Sequence, residues 1–208
     1  MRKISMSLWL LIGIAALAHA QNISGPLSGT LGPGTYTVVG DCQVNVGNTL
    51  IILPGTTFLH AGPYEWAIAG TLMASGATAD SIRWIRQLPD TIYDWRGLRF
   101  NGSGASGSLL EYCLIDHCDN SAYYGGGIYC SGAAITLRHS TISWNKANLG
   151  GGIYASSSAI VIEYCLISHN SSVELGTTSG NGGGLFLLSS NNAYIRHSEF
   201  AWNHNSGA

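Results

Sequence analysis

Charge is what this chain has least of. Nine Lys or Arg and eleven Asp or Glu occur in 208 residues, well under the roughly 25% charged content of an average soluble domain. Lys appears twice and Glu five times, so the residues that solvate helix surfaces are missing, which argues against a helical bundle. The balance is near neutral, leaving no cationic field for a nucleic acid or another polyanion. Disorder is excluded by the opposite abundance, since 46% of the residues are hydrophobic and can bury a core. Glycine, at 28 residues, is the other excess that needs a mechanism.

The N-terminus reads as an export signal. Arg2 and Lys3 supply a basic start, Leu8 to Leu17 an apolar run, and Ala18-His19-Ala20 a small-x-small cleavage site. The run is shorter than the ~20 residues needed to span a bilayer, and no transmembrane helix is expected after it. Cleavage near Ala20 makes the product secreted or placed on the outer cell surface, with a net charge of −4 from seven basic and eleven acidic residues. Five Cys remain, at 42, 113, 118, 130 and 165. An odd number cannot all pair internally, their spacing matches no zinc pattern, and they read as small buried hydrophobes.

From about residue 105 the chain repeats. Glu111 to Cys118 aligns with Arg138 to Asn145, Glu163 to Asn170 and Arg196 to Asn203, at offsets of 27, 25 and 33 residues. A second motif keeps the same step: Gly125-Gly-Gly-Ile-Tyr129, Gly150-Gly-Gly-Ile-Tyr154 and Gly182-Gly-Gly-Leu-Phe186. Such periods mean a solenoid or an array. The runs Ile135-Thr-Leu137 and Ile160-Val-Ile162 alternate faces with a period of two and are too short for helices. The reading is an all-β fold, a right-handed parallel β-helix with coils of about 25 residues.

Stacking one coil on the next, about 4.8 Å apart, turns the alignment into columns. Ile115, Ile142, Ile167 and Phe200 form an apolar column facing the core. Asn145, Asn170 and Asn203 form an asparagine ladder, with Cys118 breaking it at one end. Glu111, Arg138, Glu163 and Arg196 alternate in sign along an expected solvent-facing column. Tyr112/His139/Tyr164/His197 and His117/Trp144/His169/Trp202 alternate as well, as a duplicated two-coil unit would. Residues 21–46 are expected to form an N-terminal segment and cap, and 47–208 the β-helix. The insert from Gln87 to Trp95 is expected to be a loop on one face. The chain stops at Ala208 without a visible cap, so further coils or an anchoring domain are expected.

The Gly-Gly-Gly-Ile/Leu motifs, followed by Ile142-x-x-Asn145, Ile167-x-x-Asn170 and Phe200-x-x-Asn203, resemble the GGA(I/L/V) and FxxN repeats of chlamydial polymorphic outer-membrane proteins. The same segment is similar to right-handed β-helix repeat domains with the pectin-lyase-like fold. The resemblance implies a bacterial cell-surface or secreted scaffold, used for adhesion or carbohydrate binding and not catalytic. The alternative it carries is a polysaccharide lyase or glycoside hydrolase.

Candidate sites follow from both readings. Trp144 and Trp202, with Tyr129 and Tyr154 in another column beside Phe186, are candidates for a platform on which sugar rings of a polysaccharide or surface glycan stack. Leu114-Ile-Asp-His117 resembles the Trp-Ile-Asp-His motif of family 1 pectate lyases. Under that alternative Asp116 is a calcium ligand with Asp119 as neighbour, although the later coils carry Ser143, Ser168 and Ala201 at the Asp116 position. The scaffold reading expects no cofactor. A hydrolase wants carboxylates about 5 to 10 Å apart, and Asp90 with Asp94 or Asp116 with Asp119 are the close acidic pairs. No catalytic residue is assigned. His117 and His169 lie two coils apart, about 9.5 Å, too far to share one metal. The same spacing excludes a disulfide between Cys113 and Cys165.

Overall fold

The structure, a computed structural model, describes residues 20–87, 94–175 and 180–205. The leader up to residue 19, Asp90 and Tyr93 lie outside the described residues. Among those described, the fold is all-β apart from a single 3₁₀ turn at Ser103–Ala105. The strands form three parallel sheets, of thirteen, seven and four strands. No described helix is long and apolar enough to cross a membrane.

Each strand pairs with its counterpart one repeat later. Cys113–Asp116, Thr141–Ser143, Leu166–Ser168 and Glu199–Ala201 lie side by side in the largest sheet. Ser108–Glu111, Ala134–Arg138, Ala159–Glu163 and Tyr194–Arg196 do the same in the second. Asp119–Tyr124, Lys146–Leu149, Ser171–Ser172 and His204–Asn205 make the third. The largest sheet has two arms joined by one long strand, Gly34–Val44, whose first half pairs with Thr56–His60 and whose second half pairs with Trp66–Ile68. The result is a set of curled parallel sheets stacked in a solenoid-like way. Segment 21–46 contributes strands that pair into both larger sheets.

Side chains pointing inward explain why this register holds. Ile115, Ile142 and Ile167 are in register and fully buried, each stabilising the fold by roughly 1.5–3 kcal/mol through burial. A slip of one residue would turn every one of them outward. Phe200 is in register with Ile167 but partly exposed on the outermost strand. Toward the N-terminus the core is aromatic: Phe58 stacks on Trp84 with centroids 5.3 Å apart and meets Trp66 edge-on at 4.8 Å. All five Cys are buried and unpaired.

Two expectations change. Trp95, placed at the end of a surface loop by sequence, is fully buried, because its ring stacks on His60 at 4.0 Å and its Nε1 donates to the Asp116 carbonyl at 2.9 Å. The charged column is not uniformly solvent-facing. Glu163 is buried between Arg138 and Arg196, whose Nε atoms lie 2.9 and 2.8 Å from its two carboxylate oxygens.

The triple glycines also gain a reason. A Cβ on Gly126 would collide with the Gly151 carbonyl and the Lys146 backbone, and one on Gly151 with the Ser171 and Gly183 carbonyls. Successive coils therefore touch backbone to backbone at this corner, and only glycine lets them.

Candidate functional site

Sharp corners set the aromatic columns. Tyr112, His117, His139, Trp144, Tyr164, His169, His197 and Trp202 all adopt φ between 46° and 56°, a left-handed conformation that costs a residue with a Cβ roughly 1–2 kcal/mol. Ring stacking across coils accompanies every one of them. Tyr112, His139, Tyr164 and His197 stack at 4.8, 5.0 and 4.8 Å. His117, Trp144, His169 and Trp202 stack at 6.1, 4.4 and 4.9 Å.

This stacking changes what the tryptophans offer. Trp144 is 55% exposed and Trp202 71% exposed. Rings lie against both faces of Trp144 and against one face of Trp202. Trp144 thus presents its edge to solvent, whereas a sugar needs a free ring face, and Trp202 keeps one face without a stacked ring among the described residues. The third column, Tyr129, Tyr154 and Phe186, stacks at 5.4 and 5.6 Å. Tyr154 is only 4% exposed, covered by Tyr129, Phe186 and Tyr124, the last at 5.0 Å. It cannot serve in an exposed platform, and burial pushes its phenol pKa up.

The asparagine column is structural in its bonding. Asn170 Oδ1 accepts from both the backbone N–H and the Nδ2 of Asn145, and Asn203 Oδ1 accepts the same pair from Asn170, all at 3.0 Å. Each Nδ2 also donates to a backbone carbonyl, Asn145 to Ile115, Asn170 to Ile142 and Asn203 to Ile167. Cys118 has no amide to offer, yet its N–H donates to Asn145 Oδ1 at 2.9 Å.

A groove beside the third column brings together residues that sequence reading did not connect. One cavity of about 260 Å³ is lined by Asp41, Glu65, Arg96, Arg99, Asn120 and Tyr123. An adjoining one of about 340 Å³ shares Arg99 and Tyr123 and continues along Tyr124, Tyr129 and Asn148. Arg99 is the floor of both. Its guanidinium lies 4.4 Å above the Tyr129 ring, its Nη2 donates to the Tyr124 carbonyl at 3.2 Å, and its Nε is 3.7 Å from Glu65. Its Nη1 is buried with no hydrogen-bond partner among the described residues, and burial pushes its pKa down, against the pull of Glu65. Tyr123 is 62% exposed and makes no ring stack among the described residues. The available signal was register: Arg99 pairs with Tyr129 as Tyr129 pairs with Tyr154, so the column begins one coil before the visible repeat.

A third cavity, about 280 Å³, is lined by Arg83, Ile85, Arg86, Asp116 and His117. Asp116 uses both carboxylate oxygens: Oδ1 accepts from Ser143 Oγ at 3.1 Å and Oδ2 faces His117 Nδ1 at 2.8 Å. Arg86 pairs with Asp94 at 3.1 Å. Calcium does not fit the residues expected to hold it. Asp119 is engaged by Ser121 and faces Lys146 at 3.6 Å, Asp116 is turned to Ser143 and His117, and no cluster of three acidic, His or Cys residues converges among the described residues. A calcium ion needs six to eight oxygens. The acidic pairs proposed for a hydrolase fare no better, since Asp94 and Asp119 both face cationic partners and Asp90 lies outside the described residues.

Comparison of the chain with protein-family models, with curated proteins and with solved structures finds no match.

Proposed function

We propose that the protein is an exported right-handed parallel β-helix of the pectin-lyase-like type that binds a polysaccharide or surface glycan in the groove over Arg99. The observation that carries this reading is the open ring of Tyr123 standing between two adjoining cavities. The apolar face of a pyranose stacks on such a ring. Asp41, Glu65 and Asn120 supply acceptors for sugar hydroxyls, and Arg96 and Asn120 supply donors, in the mixture that a glycan site needs. A solenoid suits a polymeric ligand, because successive coils repeat their outer surface at a fixed step. Trp144, stacked on both faces, would then meet a glycan only at its edge.

Titration calorimetry with neutral and acidic oligosaccharides tests this. Tyr123→Ala should weaken binding at least tenfold and Arg96→Ala measurably, while Trp144→Ala should change it little. Undiminished binding in Tyr123→Ala would remove the groove from the reading.

The alternative, a polysaccharide lyase, is favoured by one observation, the paired Asp116 and His117 in a cavity with two arginines.

A further inference from the structure

The seven-stranded sheet has an outer face as regular as its inner one. Ile52, Ala74, Leu110, Leu137 and Ile162 are in register and buried, so on each strand the preceding residue points away from the core. Those residues also form a line: Ile51 is in register with Met73, Met73 with Leu109, Leu109 with Thr136, Thr136 with Val161, and Val161 with Tyr194. Six successive coils thus present four aliphatic side chains, a Thr methyl and a Tyr ring, about 24 Å from first to last at ~4.8 Å per coil. Ile51 and Tyr194 are exposed and the four between them partly so. A continuous outward apolar line marks an interaction surface.

The charged column says what covers it. Glu111, Arg138, Glu163 and Arg196 run beside the apolar line on the same face. Their pairing within the chain is uneven: Glu163 takes both arginines, and Glu111 makes no ion pair among the described residues. Consider two copies packed face to face about a two-fold axis parallel to the strands. Apolar line then meets apolar line, and charged column meets charged column with the coil order reversed. An axis passing between two coils sets Glu against Arg, whereas an axis through a coil sets like against like. The axis between Ser108–Glu111 and Ala134–Arg138 also overlaps the whole apolar line. It places Leu109 on the partner's Thr136, Met73 on the partner's Val161 and Ile51 on the partner's Tyr194. Glu111 then gains the partner's Arg138, a side chain that is half-exposed in the single chain.

We propose that the protein forms a reversible two-fold dimer through the outer face of its seven-stranded sheet, the two solenoids antiparallel, with Glu111 of each copy paired to Arg138 of the other. The same patch serves on both copies, as a two-fold interface requires. A face one apolar line wide is small beside a standard interface, so the expected Kd is on the order of 10–100 µM. Tyr123 belongs to the four-stranded sheet, so the dimer stands independently of the glycan groove.

Sedimentation velocity of the secreted chain from about 1 to 500 µM tests this. The sedimentation coefficient should rise from that of a monomer to that of a dimer across the range, and Tyr123→Ala should leave the curve unchanged. Leu109→Lys, an outward position whose retained fold the melting temperature verifies, should weaken Kd at least tenfold. Glu111→Arg and Arg138→Glu each set like charges across the axis and should weaken it similarly. An equimolar mixture of those two variants should recover a heterodimer within a few-fold of the original Kd, because both contacts again pair opposite signs. Should Arg138→Glu fail to fold, Leu109→Lys and Glu111→Arg carry the test. A chain that stays monomeric throughout would overturn the proposal, including one that instead binds phosphatidylcholine vesicles through this face. So would a dimer indifferent to Leu109→Lys, and a mixture of folded charge variants that stays dissociated would overturn the antiparallel register.

Discussion

His60 Nε2 accepts a hydrogen bond from Trp66 Nε1 at 3.1 Å, deep in the aromatic core. Nε2 must therefore be unprotonated, and Nδ1–H must be the atom facing the Ile85 carbonyl at 3.0 Å. Burial drives the His60 pKa from 6.5 down to about 3, against the opposing pull of that carbonyl. The unfolded chain takes up a proton below 6.5 while the folded one declines it until about 3, so stability falls as pH drops through that window. Urea unfolding at pH 4.5 should show about 2–3 kcal/mol less stability from this residue than at pH 7. A His60→Phe variant should have a flatter pH profile, and an unchanged slope would sink the assignment.

Glu163 also loses its contribution toward acid, although here folding favours the charged form. Desolvation works to raise its pKa, but the hydrogen bonds and charges of Arg138 and Arg196 prevail and hold it below the usual carboxylate value of 4.5. A depressed carboxylate stabilises the fold above its unfolded pKa and loses that contribution as pH falls through the folded one. Glu163→Gln should therefore lower the melting temperature at pH 7 and much less at pH 3. Equal losses at both would mean that the carboxylate's charge is immaterial.

The ladder predicts a large cost for a conservative-looking change. Asn170 is fully buried and makes four side-chain hydrogen bonds, two from Asn145 and one each to Ile142 and Asn203. Asn170→Ala would leave the Asn145 N–H and the Ile142 carbonyl without those partners. At 1–3 kcal/mol for each unsatisfied buried group, the loss should reach about 2–5 kcal/mol in chemical denaturation. A loss under 1 kcal/mol would show that water or relaxation replaces the amide.

Backbone contact at the glycine corner predicts position-specific intolerance. Gly126→Ala would drive its methyl into the Gly151 carbonyl and the Lys146 backbone, while Gly107→Ala meets open space and carries only the strain of its φ of 83°. Gly107→Ala should cost about 1–2 kcal/mol, and Gly126→Ala distinctly more, with loss of soluble protein as its readout. Equal tolerance of both would contradict the close approach.

Much of the repeat was legible because parallel stacking converts sequence offset directly into contact. The pairings of Glu111 with Arg138, Ile142 with Ile167 and Tyr129 with Tyr154 follow from aligning the motifs. The asparagine bonds follow from placing one amide above another. What alignment could not supply was the third dimension of each column. Position in a column does not say whether rings meet face to face, and face-to-face stacking is what closes both sides of Trp144 and buries Tyr154.

The sequence by itself determined that the chain must be a glycine-rich, charge-poor stack of parallel strands, because its periodicity, its scarce Lys and Glu, and its recurring Gly-Gly-Gly and Asn positions permit little else. Tertiary structure alone decided where chemistry can occur. Arg99, Glu65 and Tyr123 lie in unrepeated or separate segments and meet only when coils curl past one another. Arg83, in register with Leu114 on the neighbouring strand, lines the same cavity as Asp116 and His117. Periodicity records what each coil shares with the next, and these cavities draw mostly on residues in which the coils differ.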